Sequence, residues 1–396
     1  MNLFANISLA LGLLYSLTVL FFFIGLLKKR RGKNREQYRV SVIIAARNEE
    51  DNIGDILFDL THQTYPTELY EVIVANDGSS DKTADIVQHY ASQYPNIKLL
   101  YIERYPSQFS PKKYALQQAV QHAAGDIILT TDADCRVGSR WIESMISYFE
   151  PEIGFVIGFS QFGQRGQKQN FLEKLQAFDF LQLMGATAGT CNLGYPLAAS
   201  GQNLGYRRTA FQQVGGYRRV AERISGDDVL LLQLIRRYTD WKTVFASSRN
   251  AFAMSQPQST LRGLINQRKR WASNGSYQVH LNVPFFAYLL LVFLFSFALF
   301  VGMPLSFWLK TTAGTFSLCL LAKAAAEALI AFRSAQYFHR QDLLKYFPIW
   351  FLLQIPYVVI VGLWGTFGSF SWKERNHTSN SNKIITTITS YLDRRK

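Results

Sequence analysis

The stretch Asp126-Ile127-Ile128-Leu129-Thr130-Thr131-Asp132-Ala133-Asp134 decides the fold of this chain. Its apolar run predicts a buried strand at 126–131, and two carboxylates stand directly beyond the end of that strand. Similar runs bounded by polar turns predict three earlier strands, at 40–46, 71–75 and 97–102. Helical patterns fill the intervals, at 51–62, 81–94 and 112–124. This alternation predicts a parallel sheet with helices on both faces, whose ligand lies beyond the carboxyl ends of the strands.

Apolar segments flank this α/β region on both sides. Residues 3–27 are almost wholly apolar, which is long enough to cross a bilayer, and the basic segment Lys28-Lys29-Arg30-Arg31 follows at once. A cleaved signal peptide carries its positive charge before the apolar run, so we expect an anchor that leaves the following domain in the cytoplasm. Three further spans are predicted at 284–309, 312–332 and 346–370.

The sequence leaves undecided the state of two charged residues in the C-terminal spans and the side of the membrane on which the tail lies. Lys323 and Glu327 interrupt the second span at i,i+4 spacing, which fits either an ion pair inside a helix bundle or a segment that spans only marginally. The number of spans places the tail outside, whereas its basic residues, among them Lys373 and Arg375, favour the inside.

Composition excludes several classes of protein. The 396 residues suffice for one large globular domain and additional segments. The three cysteines are too few and too scattered for a disulfide framework or a zinc cluster. A formal net charge of +14 would suit a nucleic-acid partner, but no recognition motif or basic–aromatic repeat supports one. Anionic lipid headgroups and a nucleotide diphosphate account for the charge, so no nucleic acid is expected.

The carboxylates Asp132 and Asp134 end the quoted strand. Alternate acids at a strand end can share one hard divalent cation, to which a nucleotide diphosphate adds further oxygen ligands. Such a cation would neutralise the charge that grows on a departing diphosphate. A solvated loop is the alternative for an Asp-x-Asp pattern, and the position at a strand end favours the metal site.

A second acidic turn, Asn76-Asp77-Gly78-Ser79-Ser80-Asp81, joins a strand to a helix. Gly78 permits the tight turn, and Ser80 or Asp81 is suited to cap the next helix. A capped turn explains the serines and Asp81 better than it explains Asp77. We therefore expect the carboxylate of Asp77 to accept hydrogen bonds from a base or a ribose.

Asp227 and Asp228 precede an apolar helical stretch at 229–235. An acid at a helix start is favoured by the helix dipole, so capping explains one of them. Two adjacent acids exceed what a cap needs. A general base that deprotonates a sugar hydroxyl must be a carboxylate or an imidazole, and the six histidines form no cluster near the other motifs.

Gln267, Arg270 and Trp271 are spaced i, i+3, i+4, so they share one face of a helix. The surrounding residues 261–271 mix basic and apolar side chains, which suits a helix in the bilayer interface. A basic anchor without a catalytic part is the alternative.

Together these motifs resemble the membrane-bound family-2 glycosyltransferases, which include cellulose, hyaluronan and chitin synthases. The resemblance covers roughly residues 40–272, and its most specific element is the ordered set of four motifs that ends in the Gln-x-x-Arg-Trp pattern. It implies a nucleotide-sugar-binding (GT-A type) α/β fold with a mixed, mostly parallel sheet flanked by helices. It also implies a UDP-sugar donor, Mg²⁺ or Mn²⁺ as cofactor, and a single inverting displacement that gives a β-linked product.

The resemblance implies a role for each matching residue. Asp228 would be the general base, while Asp134 and Asp132 would bind the metal. The nucleotide-sugar would contact Asn48, Glu49, Asp77, Lys112, Asp132, Gln267, Arg270 and Trp271. The acceptor side would include Gly201, Asn203, Arg207 and Trp271. Asp227 stands where many members of the family have glutamate, which leaves open which of the two adjacent acids is the base.

These expectations divide the chain into six segments. They are a transmembrane anchor at 1–27, a basic linker at 28–39, a cytoplasmic glycosyltransferase domain at 40–257, an amphipathic interface helix at 258–282, transmembrane helices at 283–370 and a polar tail at 371–396. The implied location is a bacterial inner cell membrane, with membrane lipids as neighbours. No protein partner is identified.

The leading hypothesis is an enzyme that extends a polysaccharide or glycan, and the alternative is single-sugar transfer to a lipid acceptor. About four spans leave little room for a polymer channel, whereas the Gln-x-x-Arg-Trp pattern favours polymer synthesis. A non-catalytic membrane scaffold predicts loss of a metal or base carboxylate, yet all four acids are present. A soluble dinucleotide-binding enzyme would carry Gly-x-Gly-x-x-Gly after its first strand, where Ala46-Arg47-Asn48-Glu49 stands.

Overall fold

The computed structural model describes residues 3–103, 105–163, 168–308, 310–372 and 375–378. The strands are β1 (Val40–Ala46), β2 (Tyr70–Asn76), β3 (Ile97–Tyr101), β4 (Ile127–Thr130), β5 (Arg136–Val137), β6 (Ile153–Gly158), β7 (Ser160–Phe162), β8 (Leu204–Arg207), β9 (Lys242–Ala246), β10 (Ala253–Ser255), β11 (Ser369–Trp372) and β12 (Arg375–Thr378). The helices are α1 (Leu3–Leu27), α2 (Ile53–Thr61), α3 (Thr83–Gln93), α4 (Pro111–His122), α5 (Trp141–Ile146), α6 (Phe171–Asn192), α7 (Arg208–Gln213), α8 (Val229–Tyr238), α9 (Leu261–Ala272), α10 (Gln278–Leu281), α11 (Val283–Trp308), α12 (Lys310–Tyr337) and α13 (Phe347–Phe367).

A seven-stranded sheet forms the centre of the α/β region, in the order β3-β2-β1-β4-β8-β6-β9. The four strands expected from the sequence are adjacent and parallel. β8 runs antiparallel to both of its neighbours, β4 and β6, while β6 and β9 are parallel. The sheet is therefore mixed and mostly parallel, which confirms the predicted α/β fold.

Apolar side chains cover both faces of the sheet. In β1, Ile43 packs in one core with Ala115 and Ala119 of α4. Its neighbours Val42 and Ile44 point to the other face and pack in a second core with α2. Burial on both faces explains why β1 appears in the sequence as an almost continuous apolar run and not as an alternating one.

A smaller sheet, in the order β5-β10-β7, lies beside the carboxylates that follow β4. β10 pairs antiparallel with β5 and parallel with β7. This pairing brings Ser255, the last residue of β10, to within 3.3 Å of Asp134, measured between the hydroxyl and carboxylate oxygens.

Four helices are long and apolar enough to cross a membrane, at Leu3–Leu27, Val283–Trp308, Thr311–Tyr337 and Gln341–Thr366. One is N-terminal and three are C-terminal, which confirms the expected arrangement. Residues 373–374 and 379–396 of the predicted polar tail lie outside the described residues, while β11 pairs antiparallel with β12.

Lys323 and Glu327 form a buried ion pair inside the group of apolar helices. The hydroxyl of Tyr15 on α1 donates to Glu327, and the ammonium of Lys323 also donates to Gln354 on α13 at 2.6 Å. Of the two possibilities left open by the sequence, the structure has the ion pair, and its polar partners come from two other helices, α1 and α13.

α6 packs against both the α/β region and the apolar helices, and this helix was not expected from the sequence. A capping box begins it, because Asn170 accepts from the backbone of Glu173 and Glu173 accepts from that of Asn170. It crosses α1 so closely that a Cβ on Gly25 would overlap the carbonyl group of Gly189. Small residues at such a crossing let two helix backbones approach each other.

Candidate active site

One large cavity of about 1410 Å³ collects most of the residues singled out by the sequence. It lies beyond the carboxyl ends of β1, β2 and β4 and extends between α6, α9, α11 and α13. Eleven of the expected site residues line it, namely Glu49, Asp77, Lys112, Asp132, Asp134, Gly201, Asp227, Asp228, Gln267, Arg270 and Trp271. Small-molecule sites commonly occupy roughly 300–1,000 Å³, so this cavity has room for two substrates.

Lys112 connects the two groups of carboxylates across the cavity. Its Nζ atom lies 2.8 Å from Oδ1 of Asp132 and 3.1 Å from Oδ2 of Asp227. Burial lowers the pKa of the ammonium, but the two carboxylates outweigh burial and hold the pKa of Lys112 well above its ordinary value. Lys112 therefore stays charged and connects the Asp-x-Asp motif to the paired acids.

The two adjacent acids differ in their protonation. Burial raises the pKa of Asp227, but the positive charges of Lys112 and Lys113 outweigh that effect and leave the pKa below its ordinary value. Burial, together with the charge of Asp227, raises the pKa of Asp228 to about 6. Asp227 is thus a counterion for lysine, while Asp228 has the proton affinity of a base that works near neutral pH.

Asp228 also begins α8. Its Oδ1 accepts from the backbone nitrogen of Val229 at 2.6 Å, and its Oδ2 accepts from the backbone nitrogen of Gly201 at 2.8 Å. The capping explanation considered from the sequence therefore applies to this residue. The same two bonds fix the carboxylate at the cavity wall, where it is available to a ligand as well.

The residues of the Asp-x-Asp motif fit a cation that is shared with a bound diphosphate. Both carboxylates line the cavity, and Asp134 lies beside the hydroxyl of Ser255. No cluster of three or more histidine, cysteine or acidic side chains suited to a metal occurs in the described part of the chain. Two carboxylates alone leave most positions of a six-coordinate cation open, and diphosphate oxygens are suitable ligands for them.

The loops after β1 and β2 are held together by Asn48. Asn48 has a positive φ of 51°, and its side-chain oxygen accepts from the backbone nitrogen of Ser80 at 2.9 Å. Arg47 donates to the carbonyl oxygen of Asp77 at 2.8 Å. Asp77 and Glu49 line the cavity, whereas Asn48 does not. The side chain of Asn48 instead holds the loop after β2 through its bond to Ser80.

α9 brings Gln267, Arg270 and Trp271 to the cavity on one face, as their spacing predicts. Its neighbour Arg268 is buried and forms an ion pair with Asp179 of α6, with 2.8 Å between Nη2 and Oδ2. The guanidinium of Arg268 also lies over the ring of Trp271, 4.3 Å from its centroid. The side-chain oxygen of Gln267 is buried and has no hydrogen-bond partner among the described residues.

The structure does not bring two of the expected acceptor-side residues into the cavity. Asn203 is fully buried and bonds to the indole nitrogen of Trp141 at 3.0 Å and to the carbonyl oxygens of Phe159 and Ala251. Arg207 donates to the carbonyl oxygen of Ile153 at 2.9 Å and to two further carbonyl groups. Neither side chain lines the cavity, and both bind backbone carbonyl groups elsewhere in the α/β region, so these contacts are structural.

Lys113 and Ser225 were missed by the sequence analysis. Lys113 is fully buried and donates to the carbonyl oxygens of Arg223 and, at 2.8 Å, of Ser225. The hydroxyl of Ser225 donates to the carbonyl oxygen of Arg270 at 3.1 Å. These bonds join α4 and α9 to the loop that carries the paired acids. The only signal in the sequence was the position of Lys113 next to Lys112, which by itself indicates nothing.

The part of the cavity away from the carboxylates is apolar. α11 contributes Phe285, Phe286, Tyr288, Leu289, Leu290, Val292 and Phe293, and α13 contributes Tyr357, Val358, Val361, Gly362, Leu363 and Thr366. Leu183 of α6, Leu290 and Leu363 line the cavity and are 46%, 44% and 43% exposed. The carboxylates and the space between two apolar helices thus belong to one continuous cavity.

Comparisons with known proteins show similarity to glycosyltransferases. Residues 41–215 match the family model described as Glycosyl transferase family 2. The chain is 35% identical over 113 residues to the beta-monoglucosyldiacylglycerol synthase of Trichormus variabilis, which is 28% of this chain and 24% of that protein. It is 34% identical over 101 residues to the dolichyl-phosphate beta-glucosyltransferase ALG5A of Trichomonas vaginalis, which is 24% of this chain and 30% of that protein. The matched part of the chain therefore spans about a quarter to a third of the length of these curated relatives.

Among solved structures, the chain is similar to a mannosyltransferase from Pyrobaculum calidifontis in complex with GDP-Man and Mn²⁺. The TM-score is 0.61 at 18% identity, and the match covers 91% of this chain and 99% of that one. At this identity the likeness is one of fold, and it identifies the sheet with its flanking helices as a GT-A-like fold.

Proposed function

We propose that this chain is a membrane-bound glycosyltransferase that transfers a single sugar from a nucleotide-sugar to a lipid acceptor. A UDP-linked donor is what the family resemblance implies. The observation that carries the proposal is the single cavity that joins the four carboxylates to the apolar space between α11 and α13. In this cavity a nucleotide-sugar would bind at the carboxylates, while the hydrocarbon chain of the lipid would stay between the apolar helices.

The donor side consists of Asp77, Lys112, Gln267 and Arg270, which line the polar part of the cavity. Lys112 and Arg270 carry positive charge and suit a diphosphate, while the unpartnered amide oxygen of Gln267 suits a donor group of the ligand. Asp132 and Asp134 would hold Mg²⁺ or Mn²⁺. Such a cation, when bound, neutralises negative charge on the leaving diphosphate.

Asp228 is the proposed general base. Its carboxylate accepts the proton of an acceptor hydroxyl while the hydroxyl oxygen forms a bond to the anomeric carbon. The bond from that carbon to the diphosphate oxygen breaks with its electron pair on the nucleotide, so an α-linked donor gives a β-linked product. The pKa of Asp228, about 6, supports this assignment, because the group is deprotonated at neutral pH and still accepts a proton. Asp227 is occupied by Lys112 at 3.1 Å and is proposed to position it.

A lipid acceptor agrees with the lining better than a growing polysaccharide does. A polymer would have to pass its hydroxyl groups along Leu289, Val292, Phe293 and Val361, where few of them would find hydrogen-bond partners. The hydrocarbon chain of a lipid, by contrast, gains free energy from burial there. The four apolar helices support a location in a membrane, and the basic segment after α1 supports a cytoplasmic α/β domain in the inner cell membrane.

The test is a screen of purified protein in lipid nanodiscs against UDP- and GDP-sugars, with Mg²⁺ or Mn²⁺, that measures nucleotide release and lipid glycosylation. The proposal expects metal-dependent release with one donor and a sugar-bearing lipid product. The Asp228→Asn variant should bind donor without turnover. The matched control is Asp240→Asn, an exposed acid just beyond the other end of α8. A wild-type protein that binds no nucleotide and releases none would favour the non-catalytic scaffold.

A further inference from the structure

We infer that the acceptor is a neutral lipid that presents a free hydroxyl group, and not a lipid phosphate. This inference rests on the proposed function and narrows its acceptor. Both kinds of lipid would place a hydrocarbon chain between α11 and α13, so the distinction depends on the polar end of the molecule.

The first argument is the chemistry of the base. A hydroxyl group is a poor nucleophile until a base removes its proton, whereas a phosphate monoester is already an anion at neutral pH and needs no base. Asp228 is held at the cavity wall by backbone N–H groups of Gly201 and Val229, at 2.8 Å and 2.6 Å. A carboxylate fixed at the cavity wall in this way suits an acceptor that must lose a proton.

The second argument is the charge around that base. Asp227 and Asp228 adjoin each other and Gly201, so an acceptor next to Asp228 meets two carboxylates. A phosphate at the same place would bring one or two further negative charges against them. Like charges that share a site are strongly disfavoured, and the low dielectric of a buried site increases the penalty.

The third argument is the commitment of the cations that line the cavity. Arg47 donates to the carbonyl oxygen of Asp77, Lys112 forms ion pairs with two carboxylates, and Arg268 forms its ion pair with Asp179. Arg270 lies within the field of Asp132, Asp227 and Asp228 and belongs to the proposed diphosphate site. A lipid phosphate would have to compete with the donor diphosphate for the same positive groups.

The part of the cavity lined by the apolar helices offers a lipid phosphate no positive charge in place of these groups. Among the described residues, those of α6, α11 and α13 that line the cavity include no lysine, arginine or histidine. Their polar groups are hydroxyls, on Thr187, Thr190, Tyr288, Tyr357 and Thr366. Hydroxyl groups suit the hydroxyl or ester oxygens of a neutral lipid, whereas a phosphate without a cation would be costly to desolvate there.

The experiment compares two pairs of lipids that differ only in the phosphate. These are dioleoylglycerol against dioleoyl phosphatidic acid, and a polyprenol against the corresponding polyprenyl phosphate. Each is added to wild-type protein in nanodiscs of the same zwitterionic lipid, with the donor and metal that support nucleotide release. Lipid products are identified by mass spectrometry, and donor hydrolysis without added acceptor is measured in parallel. We expect the neutral member of at least one pair to be glycosylated at least tenfold faster than its phosphate.

Faster transfer to either phosphate would overturn the inference while leaving the proposed function intact. Transfer to none of the four lipids, with metal-dependent donor hydrolysis retained, would also overturn it. Loss of both hydrolysis and transfer would count against the proposed function itself, so the two failures are distinguishable.

The Asp228→Asn variant gives a second, independent answer. With a hydroxyl acceptor it should lose transfer by at least 100-fold while donor binding, measured by thermal stabilisation with nucleotide and metal, remains. If the variant keeps wild-type transfer to a lipid phosphate, the acceptor needs no base and the inference is wrong.

Discussion

The ammonium nitrogen of Lys112 lies 3.1 Å from a carboxylate oxygen of Asp227, and the same nitrogen lies 2.8 Å from Asp132. One side chain therefore touches one of the proposed metal ligands, Asp132, and also the acidic pair that contains the proposed base. The charge of Lys112 also keeps Asp227 ionised, and the negative charge of Asp227 in turn raises the pKa of Asp228. Donor side and acceptor side are thus electrostatically linked through a single lysine.

Replacing Lys112 with methionine should lower kcat/KM by about 100-fold or more, a loss comparable to that of one preorganised donor at a developing negative charge. The variant removes a positive charge beside the diphosphate site and removes the ammonium group that pairs with both Asp132 and Asp227. The control is Lys98→Met, because Lys98 pairs with Glu71 at 2.6 Å but does not line the cavity. Equal activity of the two variants in a nucleotide-release assay would contradict the role given to Lys112.

The rate of transfer should rise with pH through about pH 6 and then level off, because Asp228 must be deprotonated to act and its pKa is about 6. A pH profile of kcat/KM tests this expectation. In the Asp228→Glu variant the step should move, since the carboxyl group then occupies a different place. A rate independent of pH between 5 and 8 would show that no such base limits the reaction.

The same pKa has a consequence for stability. The ordinary pKa of this carboxyl is 3.8, so between that value and about 6 the folded protein binds a proton that the unfolded chain does not bind. The contribution of Asp228 to stability is therefore lost as pH rises through this window. Asparagine remains neutral and still caps a helix, so Asp228→Asn should raise the midpoint of thermal unfolding at pH 8 and change it little at pH 4.

Asp134→Asn should abolish metal-dependent donor binding and turnover. Asparagine keeps the size of the side chain but removes the charge that a hard cation requires. The readouts are thermal stabilisation by Mn²⁺ with nucleotide, and nucleotide release. Asp126→Asn is the matched control, an exposed acid at the opposite end of β4. Retention of manganese-dependent activity in Asp134→Asn would exclude this residue as a ligand.

The buried pair of Lys323 and Glu327 should behave as a unit. Removing one partner leaves an uncompensated buried charge, which typically costs about 3–5 kcal/mol. Lys323→Met and Glu327→Gln should therefore each lower the midpoint of thermal unfolding in detergent. The double variant should lie above at least one of the single variants, because it buries no unpaired charge. Additive losses would mean that the two side chains contribute independently.

Much of the fold could be predicted because its signals are local. The strand at Val40–Ala46 has the predicted bounds, and the parallel strands that follow are buried on both faces and therefore appear as apolar runs. The four motifs converge because parallel strands bring their carboxyl ends to one edge of the sheet. The antiparallel insertion of β8 was missed, since strand order depends on contacts between distant residues and not on local pattern.

The candidate site was predicted less completely. Asn203 and Arg207 are polar residues near a motif, and only the fold reveals that they bind backbone groups in the interior. α6 mixes acidic, basic and apolar residues without a clear periodicity, so its place between the α/β region and the apolar helices could not be foreseen. The apolar half of the cavity is formed by residues of several separate helices, and no single segment of sequence carries its signal.

The most direct test of the central claim is the destination of the sugar. Purified protein in nanodiscs would be given a radiolabelled nucleotide-sugar, a divalent metal and dioleoylglycerol or a polyprenol, and the label would be partitioned between organic solvent and water. We predict metal-dependent appearance of label in the organic phase, as a lipid that carries one sugar, and its absence in the Asp228→Asn variant. Label that accumulates only in a water-soluble polymer, or transfer that persists in that variant, would contradict the account.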